Sequence, residues 1–300
     1  MLQKFYEKNR DLLVNINGSL IHRDKAGISP FDSSVQNGDA VWEGLRLYKG
    51  KIFRLKEHLA RLRRSAAALQ YNDFPAEELI IEELRKTLSA NDMYDNVHIR
   101  LMITRGVKYT SGLDPRVNTA GCTLIILAEH KPPVYDKSGI RLITAAHRRP
   151  PADVLDQKIH SANQLTSILA KLEANAAGAD DALMLDINGY VAETNATHVF
   201  IVQEGILTTS RTTACPEGIT RATVLEIAAD TKIPCEVRDI TLAEVYRAQE
   251  MFCTGTMGEI APVTHVDGRV IGSGTMGPVT TRINDLLLEL TRTTGTQVCS

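Results

Sequence analysis

The stretch ALMLDINGYVAETNATHVFIV, Ala182 to Val202, decides the fold class. It holds three apolar runs of strand length, ALMLD, YVAET and HVFIV. Asn188–Gly189 joins the first two, and these residue types tolerate the positive φ angles that a two-residue hairpin turn requires. Strands that follow one another without an intervening helix pair antiparallel, whereas a parallel crossover needs a dozen or more residues, about the length of a helix. This block therefore predicts an α+β fold rather than a doubly wound parallel sheet.

Helical patterns flank the block on both sides. Upstream, Ser161 is placed as an N-cap for a helix to about Ala177, with Leu165, Ile168, Leu169 and Leu172 as its buried stripe. A strand, Ile140 to Ala146, precedes it. Downstream, a helix opens at Thr220 and turns Val224, Ile227 and Ala228 inward, and a last helix runs from about Pro278 to Thr291. The amino-terminal half shows a turn at Asn15 to Gly18, a hairpin from Leu45 to Phe53 and a half-buried strand from His98 to Gly106. Between the hairpin and that strand lie a helix with Leu55, Leu59, Leu62, Ala66 and Leu69 on one face and another from Ala76 to Leu88. The segment EHKPPVYDK, residues 129–137, reads as a linker because Pro132–Pro133 disfavours helix. Residues 1–128 are expected to form a smaller domain and residues 138–300 a larger one.

At 300 residues and 43% hydrophobic content, the chain can bury two cores. A net charge of -2 gives no basic excess to favour nucleic acid. The start MLQKFYEKNRD lacks the apolar core of a signal peptide, and no apolar run approaches membrane-spanning length. The five cysteines are scattered with no CxxC pair, so neither a disulfide frame nor a metal site is expected. A cytoplasmic home follows as an expectation.

Four segments carry side chains suited to chemistry. In DQKIH, Lys158 lies between a strand and a helix, where partial desolvation would favour a neutral, nucleophilic amine; taken alone, such lysines are commonly solvated surface residues. In YVAETNATHVF, Glu193 sits between apolar strands and needs a partner: a protonated ring nitrogen of a pyridine cofactor, or an arginine. In CPEGITR, Gly218 allows close backbone approach while Ile219 and Thr220 open a helix, a cradle for phosphate. In TGTMGEIAP, two glycines bracket Thr256 and Met257 in a tight turn able to hold an anion.

The order of these blocks resembles the class IV aminotransferases, the fold-type IV pyridoxal 5′-phosphate (PLP) enzymes. GDAVWEGLRLYKGKIFRLKEHLARL (Gly38 to Leu62) and VDGRVIGSGTMGPVT (Val266 to Thr280) extend the similarity over nearly the whole chain. The resemblance implies a two-domain, D-amino-acid aminotransferase-like fold with its active site between the domains. It implies that Lys158 is the catalytic residue and holds the cofactor covalently. Arg54, Asn163, Glu193, Gly218, Ile219, Thr220 and Thr256 are implied as further cofactor contacts. Trp42, Gly44, His98, Arg100, Thr256 and Met257 are implied on the substrate side.

The implied reaction moves an amino group from an apolar, branched-chain-like L-amino acid to a 2-oxo acid such as 2-oxoglutarate. D-amino-acid transaminases, R-selective amine transaminases and aminodeoxychorismate lyases share the fold and stand as alternatives. The family also implies a homodimer or higher homo-oligomer. Four positions depart from common family residues: Asn37 and Asn163 stand where a tyrosine is usual, Pro216 where a leucine is and His198 where an asparagine is.

Overall fold

The computed structural model describes residues 3–299. In chain order the elements are β1 (Leu13–Ile16), β2 (Ser19–His22), α1 (Ser33–Asn37), β3 (Ala40–Tyr48), β4 (Lys51–Ile52), α2 (Leu55–Ala68), α3 (Glu77–Ala90), β5 (Val97–Thr104) and β6 (Thr123–His130). They continue with β7 (Ile140–Thr144), α4 (Ala152–Leu155), α5 (Leu165–Ala176), β8 (Asp181–Leu185), β9 (Val191–Thr194), β10 (His198–Gln203), β11 (Ile206–Thr209) and α6 (Ile219–Asp230). The last are β12 (Cys235–Val237), α7 (Leu242–Tyr246), β13 (Glu250–Gly255), β14 (Glu259–Val266), β15 (Arg269–Val270), α8 (Pro278–Thr293) and β16 (Thr296–Gln297).

The chain divides into two compact units. One runs up to Pro132 and takes in Ile159–Asn163 and the segment from Thr291. Among the described residues it holds a 7-stranded sheet in the order β16-β4-β3-β5-β6-β1-β2, with every pair antiparallel. Alternation along β3 and β5 puts Val41, Leu45, Ile99 and Leu101 on one face, where α2 and α3 deliver Leu55, Leu59, Leu62, Ile80 and Leu84 to a common core. The opposite face carries Trp42, Gly44 and Arg46 across from Met102, Arg100 and His98.

The second unit comprises Pro133–Lys158 and Gln164–Leu290. Its sheet has 9 strands, ordered β12-β11-β10-β13-β14-β7-β8-β9, with β15 on β14. Pairs β8–β9, β10–β11, β10–β13 and β13–β14 are antiparallel, while β7 pairs parallel with both β8 and β14. Helices and antiparallel strands mixed in this way make the fold α+β. Its core gathers Leu142, Leu183, Val199, Ile201, Met251 and Val263.

Two expectations about α5 do not hold. The helix begins at Leu165, not after Ser161, because residues 159–163 are drawn away as a strap against β3: the Trp42 amide donates to the His160 carbonyl and the Ala162 amide to that of Ala40. Its Leu165, Ile168 and Leu172 are exposed, and its inward residues are Ser167, Ala170 and Ala174. Small side chains face inward because Ala170 and Ala174 pack closely against Ala182 and Met184 of β8. Glu129 and His130, read as linker, are the end of β6, where they pair with His98 and Val97.

Among the described residues no helix is long and apolar enough to cross a membrane, and no group of His, Cys, Asp or Glu could hold a metal ion.

Candidate active site

The key residues of all four sequence segments, Lys158, Glu193, Gly218 and Thr256, belong to the second unit, where His198 of β10 pairs with Thr254 of β13. Lys158 is exposed, its backbone amide held by the Asp156 carboxylate at 2.9 Å. Glu193 lies on β9 opposite Met184, with its side chain 5% exposed. The nearly buried Arg149 guanidinium reaches Glu193 Oε1 at 2.9 Å and also donates to the Thr194 carbonyl and the Ser167 hydroxyl. On the other side, His198 Nδ1 stands 4.0 Å from Glu193 Oε2. A buried carboxylate between an arginine and an imidazole is favoured in its ionised form.

Cys215 is buried in the same unit. Burial raises the pKa of its thiol, the Glu193 charge adds to that rise, and Arg221, Arg149 and Lys158 oppose it. Three residues further on, Gly218 leads into α6. A Cβ at Gly218 would stand 2.2 Å from His198 Cδ2, so the glycine is required for space and not for its backbone angle, φ −66°. The Ala222 amide makes the first bond of this turn, to the Gly218 carbonyl at 2.9 Å. The Ile219 and Thr220 amides precede that bond, and the helix dipole places partial positive charge there.

Thr256 and Met257 form the turn between β13 and β14. The Val134 amide donates to the Met257 carbonyl at 3.2 Å. The Tyr135 ring closes on Gly258, where a Cβ would stand 2.3 Å from its Cδ2. The buried Thr254 hydroxyl, on the strand entering this turn, has no hydrogen-bond partner among the described residues.

The remaining expected residues belong to the first unit. Arg54 caps α2 at φ 52° and pairs with Glu57 Oε1 at 3.0 Å. Arg100 lies 4.0 Å over the Trp42 ring, and burial lowers its pKa. His98 is 6% exposed; burial, then Lys131, Arg46 and Arg100, lower its pKa to about 3, so it is neutral. Gly44 leaves room beside His98 Nε2 and Trp42, each 3.6 Å from where its Cβ would be. Asn163 is exposed and its amide donates to the Gly38 carbonyl at 3.1 Å.

Sequence reasoning missed Arg149. It named an arginine as the alternative partner of Glu193, but nothing in the local pattern distinguishes Arg149 from its neighbour Arg148. It also missed Glu43, which α2 surrounds with His58 and Arg61. Only the helical spacing of those two residues hinted at a shared target.

Comparison with known proteins decides the family. The family profile "Amino-transferase class IV" matches residues 40–266. The chain belongs to the class IV aminotransferases. It is 51% identical over 292 residues to branched-chain-amino-acid aminotransferase-like protein 2 of Arabidopsis thaliana, covering 97% of this chain but 52% of that protein. The chain thus spans about half the length of this plant relative. Over nearly its full extent it is similar to the crystal structure of the T.th. branched-chain amino acid aminotransferase with pyridoxamine 5′-phosphate, with TM-score 0.88, 36% identity, and coverage of 94% of this chain and 95% of that one. The D-alanine aminotransferase of Bacillus licheniformis is 32% identical, over 93% of this chain and 99% of the relative.

Proposed function

We propose that this class IV aminotransferase is a PLP-dependent transaminase that takes the amino group of an apolar L-amino acid and passes it to a 2-oxo acid. The observation that carries the reading is the buried Glu193 carboxylate, paired with Arg149 at 2.9 Å, in the same unit as Lys158 and the glycine-opened start of α6. Amine, ionised acid and anion cradle lie within one unit of the chain.

The residues fit the cofactor. Gly218 is held free of any side chain by the His198 ring, which leaves the Ile219 and Thr220 amides open to a phosphate. The unpartnered Thr254 hydroxyl marks a polar demand beside the Thr256–Met257 turn. Arg54 would add a guanidinium to the phosphate, and Asn163, Thr256 and Met257 polar contacts to cofactor or substrate. The bound group supplies an electron sink that stabilises negative charge at the substrate α-carbon.

The chain's own residues do the rest. Lys158 Nζ would hold the group covalently and, as a free amine, would serve as the base and acid for the substrate α-proton. Glu193, with Arg149 beside it at 2.9 Å, would hold a proton on the ring nitrogen of the group. Trp42, Gly44, His98 and Arg100 shape the substrate side. The D-amino-acid alternative would use an arginine in the loop after β5 to hold the substrate carboxylate; Arg116 lies in that loop, with its Nε 2.9 Å from Asp114 Oδ2. The exposed Leu165, Ile168 and Leu172 of α5 give a homodimer an apolar surface to bury.

Purified protein should absorb in the visible and trap the cofactor on Lys158 when reduced with borohydride. L-leucine should bleach that absorbance and D-alanine should not. Lys158→Ala should lose absorbance and turnover while its unfolding free energy stays within about 0.5 kcal/mol of the cofactor-free parent, since the side chain is exposed. Normal turnover in that variant would end the proposal.

A further inference from the structure

The residues after Lys158 leave its unit and are built into the other one, and one side chain holds that excursion in place. Along β3, β4 covers Leu47 and Tyr48, which leaves the other end of that edge open. The strap fills it: Val41 bridges to Ser161, the Trp42 amide donates to the His160 carbonyl at 3.0 Å, and the Ala162 amide donates to that of Ala40 at 2.8 Å. The Trp42 indole N–H adds a bond to the Ser161 carbonyl at 2.9 Å.

His160 anchors the strap through its ring and its backbone. Its ring stacks on Trp42 with centroids 4.4 Å apart. Its Nδ1 lies 2.6 Å from the Trp42 carbonyl, which can only accept, so the proton resides on Nδ1. Its backbone amide donates to the Ser65 hydroxyl of α2 at 3.0 Å. Below it, the fully buried Glu43 is held by Arg61 at 2.8 and 2.6 Å and by His58 at 2.6 Å, and its Oε1 stands 3.7 Å from His160 Nδ1. Burial and the Arg61 charge lower the His160 pKa to about 4, so the ring is a neutral, fixed donor at working pH. None of these groups is needed for proton transfer.

We propose that His160 is a positioning residue for Lys158: locked to Trp42 and Ser65, it sets where the chain leaves Lys158 and so where the ε-amine is aimed. This rests on Lys158 being the cofactor lysine. Catalytic geometry is unforgiving, and a displacement of about 1 Å can cost on the order of 100-fold in rate. Ring, stack and two hydrogen bonds, two residues along from the amine, restrict that displacement.

The test uses the holoenzyme. His160→Phe keeps a ring to stack and removes the Nδ1–H donor. His160→Asn restores an N–H near the same position. The Phe variant should lower kcat by on the order of 10-fold or more with KM for the amino donor within about 2-fold. It should also move the pH at which the visible absorbance of the cofactor–lysine linkage titrates, and the Asn variant should return both toward the parent. If His160→Phe does not fold, Ser65→Ala should move the same titration in the same direction. A role in stability alone would lower Tm and leave kcat and that titration where they are, and this result would overturn the proposal. Borohydride trapping on the parent separates the two failures. Without a trapped Lys158 the functional reading falls and takes this one with it; with Lys158 trapped and the variants unmoved, only the positioning role falls.

Discussion

The Arg149 guanidinium lies 2.9 Å from the Glu193 carboxylate, and both side chains are at least 95% buried. The pair answers a question that an acid between apolar strands raises, namely what permits its charge there. The arginine meets Oε1 and supplies the counter-charge that burial of the carboxylate demands.

Arg149→Met should strand that carboxylate. Removing one partner of a buried pair costs about 3–5 kcal/mol because the other charge is left uncompensated. Urea denaturation of the cofactor-free protein measures it; a loss under about 1 kcal/mol would mean that Glu193 has another counter-charge.

Gly218→Ala should place a methyl against the His198 ring. Overpacking of this kind costs about 1–3 kcal/mol, and here it also disturbs the start of α6. Titration with pyridoxal phosphate should show weakened binding. Gly218→Ala combined with His198→Ala should recover much of it, because residues in contact do not behave additively. A double variant as weak as the sum of the singles would break the link between these two residues.

Acid should act in two stages. His98 and His160 have folded pKa values of about 3 and about 4, below their ordinary 6.5. Below pH 6.5 the unfolded chain takes up these protons and the folded chain does not, so stability falls as pH drops. The slope is at most about 1.4 kcal/mol per pH unit for each ring. Glu43 enters later. Burial alone would raise its pKa, but Arg61, His58 and His160 outweigh that and hold it well below its ordinary 4.5. Its contribution is present above pH 4.5 and is lost as pH falls below that. Urea midpoints taken from pH 7 to 5 should therefore decline in the parent and decline less in His98→Gln; equal slopes would show that the ring titrates normally in the folded state.

Ile168→Asp should keep the fold and lower the oligomeric state. Ile168 is 54% exposed between Leu165 and Leu172, so the aspartate meets water in a single chain and an apolar partner in a dimer. Sedimentation reads the outcome, and an unchanged assembly would place the contact elsewhere.

The α+β class and the main elements were legible in the sequence because each rests on short-range rules. The Asn188–Gly189 turn, the alternation in β5 and the apolar stripe of α2 need only a residue and its near neighbours. The candidate parts Lys158, Glu193, Gly218 and Thr256 stood out for the same reason, since each lies in a local pattern of charge, glycine and hydroxyl.

The start and the buried face of α5 were decided otherwise. From Ser161 to Leu172 the pattern reads as one amphipathic helix, yet the open edge of β3 competes for residues 159–163 and wins them with strand hydrogen bonds. The helix then packs its alanines on β8 and leaves Leu165, Ile168 and Leu172 outside, because the inward surface was set by a neighbour far away in the chain. Arg149 beside Glu193 and His160 beside Trp42 are of the same kind. The sequence by itself determined which chemical groups this chain owns and most of its local elements. Only the tertiary structure decided their partners, since burial and counter-charge depend on residues that no local spacing brings together.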